Sequence, residues 1–237
     1  MTDFSQRIQF LRQHSTYAGR WLDAQPEWMG WLKANGSQKI DLEQIRDLLL
    51  PCQSLLGASD RDDAVFMAQL RLARQRLMLW LAFRDLNGFA TLDEVTHALS
   101  HFAERAVAVS IAFIRGDLQS RFGLPWSNTT HQEMPLMVVG MGKLGGLELN
   151  LSSDIDLIFL YEHEGETQNA AKSLSYHEWF TRMGKRLIKF LSEHDENGFV
   201  FRVDMRLRPN GDSGPLVCSL DMLEEYLMVQ GREWERY

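Results

Sequence analysis

GMGKLGGLELNLSSDIDLIFLY, residues 140–161, places a glycine-rich turn ahead of an apolar run that opens on two aspartates. Ile155 to Tyr161 is rich in β-type residues and reads as a strand. Side chains two apart on a strand share a face. Asp154 and Asp156 therefore project together, while Ile155, Leu157 and Phe159 take the other face as core. Two adjacent carboxylates repel, and a divalent cation that takes hard oxygen ligands from both relieves the repulsion. A DxD pattern alone is a weak signal. With Gly142, Lys143, Gly145 and Gly146 shortly upstream it reads as a metal and phosphate site, because glycine lets backbone N–H groups approach phosphate oxygens closely.

Working outward, Leu136 to Val139 is a second short strand and Phe199 to Leu207 a third, with a helix predicted from Ser173 to Leu191. The alternation suggests a small mixed α/β unit. In FVFRVDMRLRP, residues 199–209, Phe199, Phe201, Val203, Met205 and Leu207 alternate with Val200, Arg202, Asp204, Arg206 and Arg208. A solvated strand face would carry those charges. Asp204 among arginines would equally suit a third metal carboxylate flanked by phosphate-binding guanidiniums. Sequence pattern leaves both readings open.

Upstream of a Gly, Pro, Ser, Asn and Thr-rich linker (Gly123 to Met134), the chain reads as helical to about Phe122. From Ser59 to Leu86, the residues Phe66, Leu70, Ala73, Leu77 and Leu81 share one face and Arg71, Gln75 and Arg76 the opposite one. A second helix is predicted from Leu92 to Arg115, with Thr91 and Glu94 as a capping box. The first 58 residues hold shorter helices broken by Gly36, Pro51 and Gly57.

The 237 residues carry 25 Lys+Arg against 32 Asp+Glu, a net charge of −7, which argues against broad nucleic-acid binding and leaves room for a local basic pocket. Cys52 and Cys218 are too few for a disulfide framework or a CxxC metal knuckle, so a reducing cytoplasm is expected. Neither a signal peptide nor a membrane span is expected. Arg182, Lys185, Arg186 and Lys189 form a basic stripe best read as a solvated helix face. His97 and His101, at i and i+4, lack the carboxylate motif of a zinc site. Trp21, Trp28, Trp31, Trp80, Trp179 and Trp234 read as core or interface anchors. The sequons at Asn128 and Asn150 carry no meaning in a cytosolic protein.

A glycine turn, a DxD strand and a later third carboxylate together resemble the nucleotidyltransferase superfamily that includes DNA polymerase β. The match narrows further. Residues 140–159, FTRMGKRLIKFL (180–191), VFRVDMRLRPNGDSGPLV (200–217) and QGREWERY (230–237) resemble the glutamine synthetase adenylyltransferase/adenylyl-removing enzymes, as does QLRLARQRLMLWLAFRDL (69–86). The likeness runs from about Ala64 onward. It implies an α+β architecture: a mainly helical region over residues 1–123, then a polymerase-β-like nucleotidyltransferase core with a small mixed sheet over 135–237, truncated at its C-terminal end.

That family carries two nucleotidyltransferase copies, one adding AMP to a tyrosine of glutamine synthetase from ATP and one removing it by phosphorolysis. Met1, the helical lead-in and the SGPLV and WERY segments are similar to the removing copy. By position, Asp154 and Asp156 match the metal-binding pair and Asp204 the third carboxylate, holding two Mg²⁺ or Mn²⁺ ions. Lys143 stands where the wider superfamily has the second residue of its Gly-Gly or Gly-Ser pair. Lys143, Arg206, Arg208 and Ser153, with Gly142, Gly145 and Gly146, become the nucleotide and phosphate contacts. The implied partners are adenylylated glutamine synthetase, the PII signalling protein, inorganic phosphate, and ADP or ATP. The alternatives are adenylyl transfer from ATP, and a regulatory module that docks without turnover.

Overall fold

A computed structural model describes residues 3–58, 60–168 and 172–233. Five short helices lead: α1 Phe4–His14, α2 Thr16–Ala24, α3 Glu27–Asn35, α4 Leu42–Leu48 and α5 Leu50–Ser54. Two long ones follow, α6 Asp63–Leu86 and α7 Leu92–Phe122. The remainder runs β1 Met137–Met141, α8 Gly142–Gly145, β2 Ile155–Tyr161, α9 Tyr176–Ser192, β3 Val203–Asp204, β4 Val217–Ser219 and α10 Leu220–Val229. The fold is α+β, with helices dominating and one small mixed sheet.

Helix α6 starts where the Asp62 carboxylate accepts the Ala64 and Val65 N–H groups at 2.7 and 3.4 Å. The Ser59 start expected from the sequence is too early: residues 60–62 are not helical, and Ser59 itself lies outside the described residues. Phe66, Leu70, Ala73, Leu77 and Leu81 are all buried, as their spacing predicts. The opposite side is covered as well. Arg71 donates to the Glu193 carbonyl (3.1 and 2.7 Å) and to Asp195 (2.6 Å), and Gln75 donates to the Asn197 carbonyl at 2.8 Å. The hairpin after α9 thus seals a face that amphipathic periodicity leaves polar.

Helix α7 runs past Arg115 to Phe122 and ends on Gly123, whose φ of +71° suits glycine. Its expected capping box is only half formed. The Glu94 N–H donates to Thr91 Oγ1 (3.2 Å), but the Glu94 carboxylate turns inward to Arg84. Helix α9 buries Phe180, Met183, Leu187 and Phe190. Of the basic stripe opposite, Lys185 is exposed and Arg182 and Lys189 pair with Glu178 and Glu193 on their own helix or at its end. Arg186 departs from the solvated-face reading: it bridges Asp63 on α6 and Asp117 on α7, pinning three helices together. Gly184 of α9 lets it settle onto the sheet, since a Cβ there would lie 2.9 Å from Phe159 and 3.3 Å from Val217.

Strand β2 is central. It pairs antiparallel with β1, from Met137↔Leu160 to Met141↔Asp156, so β1 lines one edge along almost its whole length. The other edge takes β3 and β4 end to end, both parallel to β2. The third strand is far shorter than the Phe199 to Leu207 span expected. Two competing sets of hydrogen bonds explain this. The Val200 and Phe201 N–H groups both donate to the Leu191 carbonyl at the end of α9 (3.0 and 2.9 Å), and both side chains are buried, which breaks the alternation. After Asp204 the backbone turns, with the Arg208 N–H donating to the Met205 carbonyl at 3.2 Å.

One continuous apolar core runs from α1 through the long helices to β4. Trp28, Trp80 and Trp179 are buried in it, Trp21 stacks on Trp28 and Trp31 packs edge-on to Trp80, while Trp234 lies outside the described residues. No helix among the described residues is long and apolar enough to cross a membrane.

Candidate active site

The strand face read from the DxD spacing is present. Ile155, Leu157 and Phe159 are at most 1% exposed, while Asp156 is half-buried and Asp154 exposed on the opposite side. Parallel pairing places Asp156 directly beside Asp204 of β3. The two strands therefore bring together carboxylates 48 residues apart in sequence (156 to 204). Burial holds the Asp156 carboxyl above its ordinary value, and the neighbouring charges of Asp204 and Asp154 push it the same way, against the pull of Arg206 and Lys143. Asp204 moves oppositely. Hydrogen bonds from the Arg206 side chain and backbone hold it below its ordinary value.

Each outer carboxylate is clasped by an arginine. Arg202 donates to Asp154 through Nε and to the Ser152 carbonyl through Nη2 (2.8 Å). Arg206 grips Asp204, its backbone N–H donating at 2.9 Å and its Nε at 2.8 Å. Among the described residues no three His, Cys, Asp or Glu side chains are gathered closely enough to hold an ion. The donor chemistry nonetheless fits a hard divalent cation: Asp156 and Asp204 are in register on neighbouring strands with Asp154 just before β2, Asp156 is destabilised by burial and by both like-charged neighbours, and guanidiniums supply the compensating positive charge.

The glycine turn packs against this group. Gly142 has φ +53°, and a Cβ there would lie 3.1 Å from Asp156 Oδ2. Gly145 sits over the β1 backbone, where a Cβ would come within 2.7 Å of the Gly140 carbonyl oxygen. Gly146 has no such constraint: its φ is −84° and a Cβ would meet nothing closer than 3.7 Å. We therefore expect Gly145→Ala to cost about 1–3 kcal/mol by overpacking, and Gly146→Ala to be neutral or stabilising by up to about 1 kcal/mol. Urea melts of the two variants check this. Equal midpoints would contradict the packing argument.

Lys143 Nζ reaches Ser153 Oγ at 3.4 Å, and Ser153 Oγ donates to Asn150 Oδ1 at 2.7 Å. Leu147 takes a left-handed φ of +58°, and the Leu149 N–H donates to Ser100 Oγ on α7 at 3.2 Å, so the loop is anchored to the helical region. Arg208 turns into its own loop, donating to the Met205 carbonyl at 2.7 Å. Of the expected phosphate contacts, Lys143, Ser153 and Arg206 thus sit around the aspartates. Two further residues emerge. Arg202 was visible only as one of the arginines flanking Asp204, with no sign of its pairing to Asp154, and Asn150 organises the loop through an Asx-type turn that its N-x-S-S spacing could have signalled.

A family model described as glutamate-ammonia ligase adenylyltransferase matches residues 6–237. The chain is 48% identical over 230 residues to the bifunctional glutamine synthetase adenylyltransferase/adenylyl-removing enzyme of Ralstonia nicotianae, covering 97% of this chain and 24% of that protein. It is 46% identical over 238 residues to the Burkholderia mallei enzyme of the same description, covering 100% and 25%. For that of Chromobacterium violaceum the figures are 47% over 225 residues, 95% and 24%. The chain spans about a quarter of the length of the curated relatives it matches. A match of that extent leaves one assignment: the chain belongs to the glutamate-ammonia ligase adenylyltransferase family.

Proposed function

We propose that this chain removes AMP from an adenylylated tyrosine of glutamine synthetase by metal-dependent phosphorolysis. Inorganic phosphate attacks the α-phosphorus, the bond to the tyrosine oxygen breaks, and ADP and free tyrosine result. The observation that carries the reading is the alignment of Asp156 beside Asp204, with Asp154 adjacent and Lys143, Arg202 and Arg206 around them.

The side chains named around the carboxylates are cations and hydroxyls, suited to binding and orienting phosphate oxygens. Phosphate is already an anionic nucleophile, so the removing direction needs no strong general base, whereas attack by tyrosine on ATP requires deprotonating a phenol of pKa near 10. Asp154, Asp156 and Asp204 would hold Mg²⁺ or Mn²⁺, two ions in all, whose chemistry when bound is to neutralise charge on the attacking and leaving oxygens. Arg202 and Arg206 must release their carboxylates for that, and are then free for phosphate. The SGPLV and WERY segments, similar to the removing copy of the family, support the direction. The PII signalling protein is the partner expected to control it.

The test is ADP release from adenylylated glutamine synthetase with Mg²⁺ and inorganic phosphate, comparing the chain with Asp154→Asn after both pass a thermal melt. Phosphate-dependent ADP that disappears in the variant is the expected result. Pyrophosphate formed from ATP and unmodified glutamine synthetase would instead assign adenylyl transfer. A well-folded chain that makes neither product would leave a docking module.

A further inference from the structure

Between α2, α6 and the hairpin that leads into β3 lies a cleft of about 710 Å³, walled in part by Trp21, Leu151, Asn197 and Phe199. Arg74 of α6 reaches into it. Only 7% of this residue is exposed, and its Nε and Nη1 atoms are enclosed with no hydrogen-bond acceptor. Its guanidinium lies over the Phe201 ring at 5.0 Å.

Two other arginines are buried on the same helix, and both are compensated. Arg71 has Asp195 and the Glu193 carbonyl; Arg84 has Glu94. The acids bordering the cleft do not serve Arg74, since Asp195 is engaged by Arg71 and Glu196 is exposed. An aromatic face alone compensates poorly for the lost hydration of a cation with three unpaired N–H groups. The uncompensated arginine is also the one of the three that lines the cleft. Burial accordingly lowers the Arg74 guanidinium to about 10.

We propose that this cleft is a binding site for a small organic carboxylate, its anionic group on Arg74 and its body against Trp21, Phe199 and Leu151. A single buried cation matches a single negative charge, and the ring and apolar walls match a carbon skeleton better than a bare phosphate dianion. Exposed Arg20 at the border adds a second positive charge to draw an anion in. The site backs onto the candidate active site: Leu151 lies two residues before Ser153, and Phe201 precedes the arginine that clasps Asp154. The inference does not depend on the direction of the adenylyl reaction.

The test is thermal melting and tryptophan fluorescence of the chain with carboxylates from acetate to benzoate, each beside its neutral amide, and with inorganic phosphate. At least one carboxylate should raise Tm by about 2–4 °C or more when saturating and perturb the fluorescence, while its amide does neither. Arg74→Met should lose the response yet melt no lower than the unliganded parent, because it removes an unpaired buried charge. Arg74→Lys should keep a weaker response. A Tm that no carboxylate moves, an equal response in Arg74→Met, or a larger and Arg74-dependent response to phosphate would each overturn the proposal.

Discussion

Asp156→Asn is expected to lower turnover about 100-fold or more while leaving the melting temperature unchanged or raised. The two effects share one cause. Asp156 stands in register with Asp204, one residue from the strand opening that holds Asp154, and its carboxyl is the one held above its ordinary value by burial and by both neighbours. The folded chain therefore works against like charge at this position at neutral pH, and an amide of the same shape relieves it. On the proposed function Asp156 would share a metal, and removing its carboxylate would then remove several kcal/mol of transition-state charge stabilisation, each 1.36 kcal/mol being tenfold in rate. Asp204 behaves oppositely. Hydrogen bonding to Arg206 holds its carboxylate down, so Asp204→Asn loses activity without any gain in the melt. Paired measurements of phosphate-dependent ADP release and of Tm on the two variants test the distinction. An Asp156→Asn chain that melts well below the parent would show that the carboxylate serves the fold and not the reaction.

The same two aspartates mark the limit of what sequence pattern delivers. Strand β2 was legible because a period of two leaves Ile155, Leu157 and Phe159 inside and Asp156 outside, and the backbone obeys it. The Phe199 to Leu207 segment shows an equally clean alternation and yet forms two residues of strand. Its hydrogen bonds go to the end of α9 and into a turn, partners that alternation cannot reveal. Helix α6 shows the complementary failure. Its apolar face is as predicted, but Arg71 and Gln75 on the other side are buried by a hairpin more than a hundred residues later. Charged residues on a helix read as solvated until a distant segment covers them. For that reason the three aspartates and Lys143 could be nominated from spacing and resemblance, whereas the grip of Arg202 on Asp154 and the exposure of Arg74 to a cleft could not.

The second large effect lies at Glu94, where Glu94→Ala should destabilise the chain by about 3–5 kcal/mol. Thr91 and Glu94 have the spacing of a capping box, which would make Glu94 a surface residue of modest effect. Instead both partners are buried, at 3% and 7% side-chain exposure, and meet through two bonds, Arg84 Nε to Oε1 at 2.7 Å and Nη2 to Oε2 at 3.0 Å. Arg84 also donates to the Phe89 carbonyl (2.9 Å), and Glu94 accepts the Ile40 N–H (3.2 Å), so α6, α7 and the segment before α4 meet at this one pair. Alanine would strand a guanidinium where water does not reach. Urea melts of Glu94→Ala, Arg84→Met and the double variant Arg84→Met/Glu94→Leu separate the pair from its parts: each single change should cost far more than the double, which removes both charges together. Single costs below about 1 kcal/mol, the range of exposed pairs, would show that water reaches the pair. The outcome also bears on Arg74 a few turns along the same helix. If stranding Arg84 is as costly as expected, an Arg74 left without an acid carries a comparable cost, which an anion bound in the cleft would relieve.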